Sequence, residues 1–362
     1  MTTIPVVDDG ESVALPWSVP VTVAVVGLGY WGPNLVRNLY ELEQAEVAAI
    51  CDVRRAPIDV LRRRFPGVRW STSYKDILAD RSIEAVAIAT PVSTHYSLVA
   101  EALRAGKHVF VEKPLASSSA EAQELIDLAR ERELVLMPGH TFIYSPAVML
   151  IRSIIESGEL GEIYFISTSR VNLGLHQSDA SVVWDLAPHD FSILRYWLSE
   201  TPAAISALTR ACVFPGTPDV AFIDLEFASG PVAHVELAWL APSKLRRTTI
   251  VGSQKMVVYD DTSNEPVRIF DSGVAVKTPE TFGEYKLTYR TGDVISPNVA
   301  VTEPLFSELG DFCSSIRSRV EPRSSAELGL EVVRMLEAVD ASLAREGTRV
   351  PVVPSLAGLD RA

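Results

Sequence analysis

The chain has 362 residues, 47% hydrophobic and 22% charged, a globular balance that excludes a long disordered or fibrous region. Its 33 Lys and Arg against 46 Asp and Glu give a formal net charge of −13. That sign repels phosphate backbones and anionic lipid, so nucleic acid and membranes are excluded as partners, and an anionic substrate needs a local basic patch. Residues 1–20 carry Asp8, Asp9 and Glu11 without a basic stretch and read as a lead-in rather than a secretory signal. No apolar run reaches the roughly 20 residues that cross a bilayer. Cys51, Cys212 and Cys313 are odd in number and far apart, which gives no disulfide framework or metal spacing and fits a reducing cytoplasm. The histidines and carboxylates form no metal set either.

From residue 21 the chain alternates short apolar runs with helical patterns. Val21-Thr-Val-Ala-Val-Val26 is a strand, followed by a helix over 32–42 and a second strand over 46–51. Further strands are expected at 85–89, 108–111 and 134–137, with helices at 93–105 and 119–131. Continuous apolar runs belong to strands buried on both faces, and their alternation with helices implies a parallel, doubly wound sheet. Past Pro138 the pattern changes. After a helix at 146–157, Ile223, Leu225 and Phe227 alternate with Asp224 and Glu226, and Ala233, Val235, Leu237 and Trp239 alternate around His234 and Glu236. Period-two alternation marks a largely antiparallel, open sheet with one covered face. Helices over 304–317 and 325–345 close the chain. The expected organisation is an α/β Rossmann domain over 21–140 and an α+β substrate-binding and oligomerisation domain over 141–362.

The first strand runs into Gly27-Leu-Gly29-Tyr-Trp-Gly32. In this motif the first glycine makes the turn, the second lets backbone approach a pyrophosphate, and the third permits close helix packing. The helix N-terminus behind it offers free N–H groups to phosphates. Tyr30 and Trp31 supply backbone amides and cover. Asp52 ends the next strand, 20 residues after Gly32, where a carboxylate holds the adenosine ribose hydroxyls. Asp52 favours NAD over NADP, while Arg54 and Arg55 keep NADP open by offering a clamp for a 2′-phosphate.

A dinucleotide fold does not specify a reaction. Two later clusters do more: Glu112-Lys113-Pro114 at the carboxyl end of a strand, and Trp184-Asp185-Leu-Ala-Pro188-His189-Asp190 leading into a helical run at 191–198. Oxidising a secondary alcohol needs a base at the hydroxyl, and histidine serves near neutral pH. Pro188 suits a first helical turn, which sets Asp185 and His189 one turn apart on one side and places His189 near a helix N-terminus that keeps it neutral. Asp185 then orients the imidazole or binds substrate hydroxyls itself. Lys113 stabilises charge developing on the substrate oxygen.

With the glycine loop, Thr90-Pro91 and His95 four residues on, Glu112-Lys113-Pro114, and the pair Asp185 and His189, nearly all of the chain after residue 21 resembles the Gfo/Idh/MocA oxidoreductases. The resemblance implies an enzyme acting on a sugar, cyclitol or nucleotide sugar, with Lys113, Asp185 and His189 as the catalytic group. It also implies a homodimer or homotetramer joined through the C-terminal sheet. Thr90, Pro91, His95 and Glu112 are expected at the cofactor. His140, Tyr144, Asn172 and His176 are expected at the substrate, and Arg170-Val-Asn172 is most similar to nucleotide-sugar and inositol dehydrogenase branches. The rivals are an NADPH-dependent keto-sugar reductase and a non-catalytic cofactor-sensing regulator.

Overall fold

A computed structural model describes residues 19–174, 180–276 and 287–352. His176 and residues 1–18 of the expected lead-in lie outside the described residues.

The first sheet is built from β1 (Val21–Val26), β2 (Ala45–Cys51), β3 (Arg69–Ser71), β4 (Ala85–Ile88), β5 (His108–Glu112) and β6 (Leu136–Gly139). Their order is β3-β2-β1-β4-β5-β6, and every pairing is parallel. The crossovers are α1 (Gly32–Glu41), α2 (Arg55–Arg64), α3 (Tyr74–Ala79), α4 (His95–Arg104) and α5 (Ser119–Glu131). β1 and β4 are almost wholly buried, as their unbroken apolar runs require. The strand order reverses between β1 and β4, so ligands of this sheet bind beyond the carboxyl ends of these strands.

α6 (Pro146–Glu156) leads to β7 (Ile163–Leu173) and α7 (Val182–Leu198). Next come β8 (Ala204–Arg210), β9 (Val220–Glu226), β10 (Val232–Ala238), β11 (Leu240–Gly252), β12 (Met256–Asp260), β13 (Val267–Val276) and β14 (Leu287–Ile295). The chain ends in α8 (Pro304–Ser318), α9 (Ala326–Leu343) and the short β15 (Val350–Pro351). The second sheet runs β14-β13-β12-β11-β7-β10-β9-β8-β15, antiparallel except where β7 meets β10. Ala221, Ile223 and Leu225 of β9 face the core while Phe222, Asp224 and Glu226 face out, the period-two pattern of the sequence.

The last two helices return to the first sheet. Leu305, Leu309 and Phe312 of α8 pack with Leu35 and Leu39 of α1, and Leu330 and Val333 of α9 join the core around Leu115 and Leu125. Arg37 and Asn38 of α1 both bond Glu303 before α8, and Glu337 of α9 accepts from the Ser119 amide. These contacts fix the crevice between the sheets in which Lys113 meets Asp185 of α7. Among the described residues, no helix is long and apolar enough to cross a membrane.

Candidate active site

The glycine loop divides its tasks as the motif requires. Gly27 sits at φ +88°, and a β-carbon there would come within 2.6 Å of the Ala89 carbonyl oxygen. A β-carbon on Gly32 would lie 2.1 Å from the Gly27 carbonyl oxygen, so neither position admits a side chain. Around Gly29 nothing lies within 4 Å of that position, which leaves the backbone open to a pyrophosphate. Tyr30 and Trp31 are exposed beside the loop, their rings edge to face at 5.6 Å. No side chain caps α1, Pro33 carries no N–H, and the Asn34 amide bonds the Trp31 carbonyl at 2.9 Å, so the Gly32 amide is the donor of the first turn left for a phosphate.

The Asp52 carboxylate accepts from the Leu28 amide at 2.8 Å and from the Arg54 amide at 2.8 Å. The Arg54 guanidinium, largely exposed, closes on the same carboxylate. Burial pushes the Asp52 carboxyl up, but the hydrogen bonds from Arg54 and Leu28 outweigh it and hold the group below its ordinary value. Arg55 stacks over Trp70 at 3.9 Å and pairs with Asp59. Both arginines are engaged by carboxylates through part of their donors, and a ribose diol replacing the Arg54 guanidinium keeps Asp52 satisfied. Asp52→Ser is expected to weaken NAD binding about tenfold and NADP binding much less, read by fluorescence titration of the reduced cofactors. Equal losses for both would remove Asp52 from the selection.

Past β4, the Thr90 hydroxyl accepts from Thr94. The His95 ring, 1% exposed, does not open toward a cofactor: Nε2 meets the Thr90 carbonyl at 2.9 Å and Nδ1 meets the Pro114 carbonyl at 2.8 Å. His95 ties the Thr90-Pro91 turn to the segment after Lys113 and acts as a positioning residue. Glu112 is buried, and burial, opposed by the Lys113 charge, raises its carboxyl to about 7.

Lys113 precedes a cis peptide to Pro114 and reaches across to α7. Its Nζ donates to the Asp185 backbone carbonyl at 2.6 Å and lies 3.2 Å from Asp185 Oδ1. The indole of Trp239 donates to Asp185 Oδ2 at 3.2 Å. Asp185 therefore orients Lys113 rather than the imidazole, and two of the ammonium's three protons are committed, leaving one uncommitted. Trp239, expected in the core or a subunit interface, is buried but braces the Asp185 carboxylate. No local signal reveals this, because the contact spans 54 residues.

α7 begins six residues before Pro188, with Ser181 as its cap, so the expected position of Pro188 in a first turn is corrected. Pro188 instead lies inside the helix and removes the N–H that would bond the Trp184 carbonyl. Asp185 and His189 still share one side, a turn apart, but a helix N-terminus is not what keeps His189 neutral. Burial does so first, followed by the charges of Lys113, Arg170 and Arg246, which together hold its pKa well below 6.5. Its Nδ1 is buried without a partner, and Phe142 meets the ring edge to face at 4.9 Å.

His140 is fully buried with neither ring nitrogen partnered, and burial, then Lys113, lowers its pKa to about 3. Asn172 Oδ1 is likewise buried and unpartnered, as fits a group that awaits a ligand hydroxyl. Tyr144 is corrected from substrate contact to core strut. Its ring is 2% exposed, and its hydroxyl donates to Asp311 and accepts from the Ser324 amide.

Sequence reasoning also passed over Glu308. It is wholly buried, with Oε2 accepting from Thr141 at 2.6 Å and Oε1 unpartnered. Burial, opposed by the Thr141 bond and reinforced by the Glu112 and Asp311 charges, raises its carboxyl well above 4.5. The unfolded carboxyl ionises first as pH rises, so the native state loses stability until Glu308 ionises in place. Glu308→Gln is expected to raise the melting temperature, by more at about pH 8 than at about pH 5. An identical shift at both pH values would show that Glu308 is already ionised in the native protein.

Comparison with known proteins gives a consistent result. The oxidoreductase family with an NAD-binding Rossmann fold, Gfo/Idh/MocA, matches residues 21–140, and the Gfo/Idh/MocA C-terminal domain matches residues 148–258. The chain is 27% identical over 265 residues to scyllo-inositol 2-dehydrogenase (NAD+) of Bacillus subtilis, covering 70% of this chain and 77% of that protein. It is 25% identical to the uncharacterized oxidoreductase YrbE of the same organism, covering 90% and 94% of the two chains. Its fold is similar to that of GenD2 from gentamicin A biosynthesis in complex with NAD, at a TM-score of 0.79 and 23% identity over 97% of this chain and 100% of that one.

Proposed function

The chain belongs to the Gfo/Idh/MocA oxidoreductase family, and from that premise we propose that Lys113, Asp185 and His189 carry out oxidation or reduction at a secondary alcohol or ketone of a sugar, cyclitol or nucleotide sugar. The cofactor is NAD, held by Gly27, Gly29 and Gly32, the amides at Tyr30 and Trp31, Asp52 and the Thr90-Pro91 turn. The observation that carries the reading is the Lys113 ammonium fixed on Asp185 with His189 one helical turn away.

Bound NAD supplies the carbon that accepts hydride. The free N–H of Lys113 holds the substrate oxygen and stabilises the negative charge that grows there. Neutral His189 takes the hydroxyl proton, and the cations around it make the imidazolium so formed quick to give that proton up. In the reducing direction the same surroundings make protonated His189 a stronger acid than an ordinary imidazolium. Asn172 and His140, with unpartnered polar atoms, serve the substrate's other hydroxyls.

The test is turnover on free sugars, inositols and nucleotide sugars, followed by reduced-nicotinamide absorbance with NAD and NADP in separate runs. Turnover on one class supports the reading. NAD binding with silence across the panel favours a cofactor-sensing regulator.

The outer face of the second sheet supports a homodimer or homotetramer. Exposed Leu208 and Phe222 are register partners, as are Val232 and Phe165, so apolar side chains line adjacent strands. Light scattering is expected to give an oligomer that Phe222→Glu weakens, and a monomeric wild type rejects this assembly. The free thiols of Cys51, Cys212 and Cys313 support placement in a reducing cytoplasm.

A further inference from the structure

Arg170 of β7 and Arg246 of β11 are direct register partners, and both guanidinium groups lie against one ring, Phe142, at 4.6 and 5.5 Å. That ring is also the edge-to-face neighbour of His189. Like charges opposite one another on a ladder oppose folding, and two arginines beside the catalytic imidazole oppose its protonation as well. A scaffold needing only packing at these positions has no use for such a pair.

Each arginine is anchored by a carboxylate that leaves donors over. Asp190 takes Arg170 through Nε at 2.7 Å and Nη2 at 3.2 Å, and Thr168 fixes Asp190 in turn. Arg170 Nη1 remains buried without a partner on a side chain only 7% exposed. Asp261 takes Arg246 through Nη1 at 3.2 Å, and its own Oδ1 is buried and unpartnered. A guanidinium held along one edge presents the rest of its fork in a fixed plane, the geometry that matches an oxyanion. A buried donor without a partner destabilises the fold unless a ligand satisfies it. The carbonyl oxygen of the Asn172 side chain and the His189 Nδ1 are likewise buried without partners. The unmet groups together describe a ligand that offers both hydroxyls and an oxyanion.

We propose that Arg170 and Arg246 form a subsite for an anionic group, a carboxylate or phosphate, on the sugar that Lys113 and His189 act upon. This rests on the reading of the crevice as a sugar site. It also supplies the local basic patch that a chain of net charge −13 needs in order to accept an acidic substrate.

The experiment is isothermal titration of the NADH-bound full chain with D-glucuronate, D-glucose 6-phosphate and UDP-glucose, against the neutral probes D-glucose and myo-inositol. The same probes are assayed in parallel for turnover with NAD. At least one acidic probe is expected to bind about tenfold more tightly than the neutral sugars, with an affinity that falls as salt rises. The probe that wins separates a ring carboxylate, a sugar phosphate and a nucleotide diphosphate as the source of charge. Arg246→Gln is expected to abolish the preference and, where the probe turns over, to raise KM about tenfold with kcat little changed. A merely structural role for Arg246 would lower kcat or stability instead.

Neutral probes binding as tightly as acidic ones overturns the proposal. So does a preference that survives Arg246→Gln, or failure of every acidic probe to bind. Arginine-dependent binding without turnover leaves the subsite standing and removes the hydride-transfer reading. Turnover of neutral sugars with no acidic preference does the reverse.

Discussion

Lys113→Ala is expected to lower turnover about a thousandfold while NAD affinity stays within a few fold of the wild type. The ammonium spends two donors on Asp185, at 2.6 and 3.2 Å, and is 10% exposed, so its remaining donor is shielded from bulk water. An electrostatic contact made strongest in the transition state is lost from kcat rather than from binding. Asp185→Asn should give a smaller loss, because the backbone carbonyl of residue 185 still holds the ammonium. Steady-state kinetics of the two variants, with cofactor titration as a control, distinguish this arrangement from one in which Asp185 is itself the base. In that case Asp185→Asn would be the more damaging change.

His189→Ala should cost about a hundredfold to ten-thousandfold in kcat, and the pH profile of the wild type should show why. Oxidation needs the neutral imidazole. Burial and the Lys113, Arg170 and Arg246 charges hold the pKa well below 6.5, so the neutral form persists as pH falls through 6.5. The acidic limb of kcat/KM for oxidation is therefore expected below that value. The same depressed pKa has a stability consequence, shared by His140 with its value of about 3. The unfolded chain takes up protons below about pH 6.5 while the native rings do not, so stability falls with pH from there downward. An acidic limb at or above the ordinary histidine value, with His189→Ala fully active, would assign the base to another group.

Lys113 and His189 stand out in the sequence because the motifs around them are local. Glu112-Lys113-Pro114 closes an apolar strand, and Asp185 and His189 stand one turn apart. The parallel sheet was legible for the same reason: β1, β4 and β5 are unbroken apolar runs bounded by glycine, proline or charge. α2 was missed because three successive arginines end it and Ile58 and Leu61 are its buried residues, too few to give a periodic signal. Pro188 misled the start of α7, since a proline reads as a first-turn residue unless tertiary packing carries a helix through it. What remained hidden was long-range. Arg170 faces Arg246 only through the register of β7 and β11, while Trp239 bracing Asp185 and Glu308 meeting Thr141 join residues 54 and 167 positions apart in the chain. Tyr144 shows the converse. Its neighbourhood in sequence placed it with the substrate, yet a side chain near a site contributes to it only if its hydroxyl is left free, and Asp311 and Ser324 take this one.

The most direct test of the account is single-turnover reduction of NAD by the wild type and by Lys113→Ala, with cofactor saturating and each sugar class supplied in turn. The account predicts a burst of reduced nicotinamide from the wild type with one class, and a rate about a thousandfold slower from the variant at equal cofactor occupancy. Equal rates from the two proteins, or a cofactor-loaded wild type that reduces NAD with none of the classes, would contradict it.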